Sequence, residues 1–92
     1  MAVAIQVEPI DTGRFQVIVV EGAGQTTHLV TLKPEYYEKL TGKQVSEEEL
    51  IEQSFRFLLE REPKESILRE FDLSVIGRYF PNYESEIRRR LA

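Results

Sequence analysis

The chain changes its hydrophobic period once, at Lys33-Pro34. Before that point apolar residues recur at every second position. After it they recur at helical spacing, and prolines cut the stretch into pieces. A period of two suits half-buried strands and a period near 3.6 suits amphipathic helices. The switch therefore predicts an α+β fold with the strands first: a β half over residues 1–32 and a helical half over 33–92.

Residues 2–8 place Val3, Ile5 and Val7 on one side and Ala2, Ala4, Gln6 and Glu8 on the other. This predicts a strand that Pro9 ends, with Asp11-Thr12-Gly13 as a turn. Residues 14–21 are the most strand-prone, with Phe15, Val17 and Val19 facing one way and Ile18 and Val20 the other. Apolar groups on both sides predict a strand covered on both faces, or a dimer contact. Gly22-Ala23-Gly24 is a second turn, and residues 26–32 a third strand. Connections this short favour an antiparallel three-stranded meander.

Four to five helices should follow. Pro34 opens the first, over residues 34–40, and Gly42 supplies its left-handed end. Ser46 and Glu49 have capping-box spacing, Val45 and Leu50 that of a hydrophobic staple, and Glu47–Glu49 suit the positive end of the helix dipole. The longest helix should run over about 47–62, where Pro63 stops it. Leu50, Ile51, Phe55, Phe57, Leu58 and Leu59 cover about half its circumference, which predicts a central position. Pro63 opens a short helix carrying Ile67, Leu68 and Phe71. Asp72 or Ser74 starts another carrying Leu73, Ile76, Tyr79 and Phe80. The last spans about 82–91, with Glu84–Arg88 and Glu86–Arg90 as supporting pairs.

Ninety-two residues, 41% hydrophobic and 30% charged, suit one folded domain. There is no cysteine, so thiolate chemistry, disulfides and thiolate metal sites are excluded. Met1 to Glu8 has neither a basic region nor a long apolar stretch, which predicts no signal peptide, no membrane span and a cytoplasmic address. The net charge is −4, and both halves are negative, which disfavours a field for non-specific nucleic-acid binding.

Candidate sites are few. His28 is the one histidine, and a polar residue at a strand end explains it better than a general base or a metal ligand. His28, Asp72 and Ser74 are residue types of a hydrolase triad, but Ser74 lacks the glycine-flanked turn that presents such a nucleophile. Gly22-Ala23-Gly24 lacks the Lys-Ser/Thr of a phosphate-binding loop. Arg88, Arg89 and Arg90 form the one basic run; they suit a helix C-terminus, or alternatively phosphate contacts. A chain this short buries roughly 60–65% of its unfolded surface, too little to hide nine aromatics easily. Tyr36, Tyr37, Phe57, Tyr79 and Tyr83 are the ones expected at an edge or interface.

The run from Phe55 to Phe80 resembles a segment of small prokaryotic proteins of unknown function, a likeness extending over residues 14–87. It implies a prokaryotic cytosolic protein and carries over no functional residue. The order of residues 28–33, Pro34–Leu40 and Ser46–Glu62 resembles the ribbon and two helices of ribbon-helix-helix repressors. In that family the ribbon pairs across a dimer and reads bases, and the capped helix N-terminus contacts phosphate. Here the first helix is short, two strands precede the ribbon, and three glutamates occupy the phosphate-contacting end.

The resulting expectation is a non-enzymatic interaction or regulatory protein without cofactor or metal. It would act through an aromatic surface on a protein partner or as a homodimer. A nucleic-acid-binding regulator is the alternative. A third reading is a small enzyme or accessory subunit using His28, Asp72 and Arg78.

Overall fold

A computed structural model describes residues 3–92. Its element order is β1 (Val3–Asp11), β2 (Arg14–Glu21), β3 (Gly24–Thr31), α1 (Pro34–Thr41), α2 (Glu47–Leu59), β4 (Glu70–Asp72), α3 (Ile76–Tyr79) and α4 (Tyr83–Leu91). Single 3₁₀ turns lie at Lys64–Ser66 and Leu73–Val75. The α+β class holds, and three strands precede Pro34. The sheet, however, has four strands in the order β1-β2-β3-β4, with β4 parallel to β3.

The first strand does not stop at Pro9. Pro9 pairs with Phe15, and the register then shifts so that Asp11 meets Arg14, leaving Ile10 as an extra residue. Pro9 is tolerated because β1 is an edge strand, where a missing donor breaks no ladder on the outer side. The fourth strand replaces part of the helix expected after Pro63. Ile67 has an extended backbone and the chain bends into a strand at Glu70: Ile67 and Phe71 turn inward and Leu68 turns out. Phe71 pairs with Val30 across the parallel ladder, and Leu29 N donates to Arg69 O at 2.7 Å. The ribbon of residues 28–33 thus overlaps a strand flanked on both sides by its own chain, unlike a ribbon that pairs across a dimer.

Alternation along β2 gives the sheet two unlike faces. The inner rows are Ile5–Val19–Thr26, Val7–Val17–His28 and Pro9–Phe15–Val30. The outer rows are Ala4–Val20–Gln25, Gln6–Ile18–Thr27 and Glu8–Gln16–Leu29. Helices cover only the inner face, so cover on both faces of β2 by the chain itself is not what forms. Ala4, Gln6, Glu8, Gln25 and Thr27 are exposed, while Gln16, Ile18, Val20 and Leu29 are half-buried.

Ser46 caps α2 by accepting from Glu49 N at 3.0 Å. The other half of the capping box does not form, because the Glu49 carboxylate accepts from Gln53 Nε2 instead. Helix α2 ends at Leu59, short of the expected Glu62, and its Leu50, Ile51, Phe55 and Phe57 are fully buried. It joins the halves as expected. Phe55 meets the His28 ring from the sheet at 5.3 Å, and Phe57 meets Tyr83 of α4 at 5.3 Å. Gly42 ends α1 in the left-handed region at φ 60°, and its N–H bonds Glu38 O.

Candidate interaction surface

The five aromatics expected at an interface are placed very differently. Phe57 and Tyr83 lie in the core, not at an edge. Phe57 is closed over by the Arg61 guanidinium, 3.7 Å from its ring centre, which is why one side of an exposed-looking position still excludes water. Ser54 Oγ donates to Leu50 O at 2.7 Å, so its oxygen accepts the Tyr83 hydroxyl proton at 2.6 Å. Burial raises the Tyr83 phenol well above its ordinary pKa. Tyr36 and Tyr37 are half-buried and spend their hydroxyls on Glu84 and on the Val45 carbonyl. Burial first, and then the negative Glu84 it bonds, keep the Tyr36 phenol protonated. Tyr79 alone is well exposed, at 67%.

Tyr79 stands beside an apolar groove of about 270 Å³. The end of α2 supplies Leu58, and the segment leading into and through β4 supplies Ile67, Leu68 and Phe71. The far wall is Val75, Ile76, Tyr79 and Phe80, from the second 3₁₀ turn and α3. Glu62 and Ser66 are its polar lining. Only three large hydrophobic residues of the described chain are exposed, and Leu68 and Tyr79 of this groove are two of them. Sequence reasoning missed Leu68. On a helix it would share the inward face of Ile67; here the two point apart.

The other candidates resolve into structural roles. His28 is buried on the inner face. Its Nδ1 lies 2.7 Å from Leu68 O, a carbonyl that can only accept, so Nδ1 carries the proton and Nε2 accepts from Thr26 Oγ1 at 2.9 Å. Desolvation lowers its pKa, so the ring is neutral. Asp72 accepts from both N and Oγ of Ser74, capping the 3₁₀ turn, and no Asp–His–Ser chain forms. Lys64, which the sequence did not flag, is buried against the β2–β3 turn between Glu21 and Glu65. A Cβ at Gly24 would meet its Nζ at 3.0 Å, so a larger residue there would push the lysine end aside.

Of the basic run, Arg90 is bound by Glu60 and Glu86, and Arg89 by Glu86. Arg88 donates to Lys39 O; its expected partner Glu84 pairs with Lys39 instead, at 3.6 Å. Among the described residues no three His, Asp or Glu side chains are placed to hold a metal ion, and no helix is long and apolar enough to cross a membrane. No protein-family model, curated protein or solved structure matches the chain.

Proposed function

We propose that this protein is a non-enzymatic interaction module whose groove receives an apolar segment of a partner protein. The observation that carries the reading is the pairing of Leu68 and Tyr79, exposed on the rim of a preformed apolar groove. Exposed apolar groups gathered at one concavity mark a contact site more often than chemistry, and tyrosine adds a large contact area with few rotors to freeze. The cysteine-free composition suits a reducing cytoplasm, where we place the protein. The nucleic-acid reading has less support, because Arg89 and Arg90 are already neutralised by glutamates.

The test puts a photoreactive phenylalanine analogue at Tyr79 of the full chain in its native cell. A discrete crosslinked protein is expected, and it should vanish when Leu68→Glu is added. A product that survives Leu68→Glu, or none beyond that given by the analogue at Arg89, overturns the reading.

A further inference from the structure

The middle of the sheet's outer face differs chemically from the rest of the surface. The three rows from Ala4 to Leu29 hold nine positions, and Glu8 is the only charged one; a fourth row, Asp11–Arg14–Thr31–Asp72, is charged and bounds them at one end. On the unburied positions of α2 and α4, by contrast, ten of fourteen are charged. Depletion of charge, more than hydrophobicity alone, distinguishes the centre of a protein contact from ordinary surface. The half-buried Ile18, Val20 and Leu29 lie within the patch, while Glu8 and, beyond Leu29, Glu70 of β4 mark two corners of its rim.

We propose that this face binds the same face of a second copy, forming a reversible face-to-face dimer about a twofold axis between the two sheets. A twofold contact sets a surface against itself. Aliphatic side chains tolerate that, and Gln and Thr each both donate and accept hydrogen bonds, so like can pair with like. Lys or Glu cannot. Two copies of net charge −4 repel, and this face lets them meet without opposing charges at the centre. The centre of the face, Gln6, Ile18 and Thr27 with Val20 beside them, has no charge with which to select a differently charged partner.

Size sets the strength. With strands ~4.8 Å apart and ~3.3 Å per residue, three strands of this length present roughly 400 Å² per copy. Two copies together bury about 800 Å², below the about 1,000 Å² of a stable specific interface and in the range of weak, transient contacts. The dimer is therefore dissociable. The monomer's core is complete without it, since the inner face is already covered.

Sedimentation equilibrium of the full chain, from roughly 1 µM to roughly 1 mM, reads the association directly. The mass should rise from that of the monomer towards twice it. Thr27→Lys, at an exposed position of the central row, should hold it at the monomer value across the series. Ile18→Lys should do the same, with circular dichroism checking that each variant is folded. Tyr79→Ser, in the groove, should dimerise like the parent. A parent chain monomeric throughout, or a folded Thr27→Lys chain that associates like the parent, overturns the proposal. So does association lost in Tyr79→Ser and kept in Thr27→Lys, which would move the contact to the groove.

Discussion

Val19 and Val20 are neighbours in β2 with the same side chain and opposite surroundings. Val19 lies between Ile5 and Thr26 under the helices, with no exposed surface. Val20 lies between Ala4 and Gln25 on the open face. The inner face buries one contiguous core and admits polar atoms only with partners: His28 with Thr26 and Leu68, and Ser54 with Leu50 and Tyr83. The middle rows of the outer face are nearly as poor in charge but open to water. Low charge on a covered face reflects folding. Low charge on an open one has no folding reason, and this difference makes the outer face informative about partners.

The sharpest way to break this comparison is the same substitution at both valines. Val19→Ala removes two methyl-sized groups from a dry, packed site and should cost about 2–3 kcal/mol in urea unfolding. Val20→Ala at low protein concentration should cost under about 1 kcal/mol, as surface changes do. Equal losses would mean that the outer face is covered even in the monomer.

His28 and Thr27 extend the test to charge. Burial lowers the His28 pKa below its ordinary 6.5 in the folded state, while the unfolded chain keeps the ordinary value. Below about pH 6.5 the unfolded state therefore binds a proton that the folded state refuses. Stability contributed by neutral His28 is fully present above that pH. It is lost as pH falls from there towards the lowered folded pKa. The carboxylates of Glu60 and Glu65, lowered chiefly by their bonds to Arg90 and Lys64, lose their contributions only below their ordinary 4.5. Thermal melts should show the two windows separately. His28→Leu should abolish the upper one and cost about 1–3 kcal/mol at neutral pH, because the Leu68 carbonyl and the Thr26 hydroxyl lose a buried partner. Thr27→His, one residue away on the open face, should add no such window.

These residues also mark how far the sequence could be followed. Strand β2 and the inward set Phe15, Val17 and Val19 were legible because alternation is a local property. So were the Ser46 cap and the Gly42 stop, each written in a few adjacent residues. Strand β4 was not. Its three residues gain their state from Leu29–Thr31, about forty positions earlier, and the local spacing of Ile67, Leu68 and Phe71 fits a helix equally well. Calling Leu68 inward, and so missing half of the groove rim, followed from that one error. Phe57 and Tyr83 were misplaced for a related reason. Their burial depends on Arg61 folding back over one ring and on Ser54 meeting the other's hydroxyl, and neither contact has a signature in the pattern of apolar residues.

A further small effect separates the sheet from the layer that covers it. Ser46 Oγ accepts from Glu49 N, one of the four donors that the start of α2 leaves unpaired. Ser46→Ala should cost about 1 kcal/mol, since the reciprocal Glu49 bond is absent and the cap rests on this contact alone. Ser46→Asp should recover most of that, because aspartate offers the same acceptor and places its charge at the positive end of the dipole. The loss should appear in hydrogen exchange as earlier opening of α2 and of inner-face amides beneath it. Sedimentation equilibrium at concentrations where the protein stays folded should be unchanged. If Ser46→Ala instead weakened self-association, the helical layer and not the open face would be the contact, and the comparison between the two faces would have to be reversed.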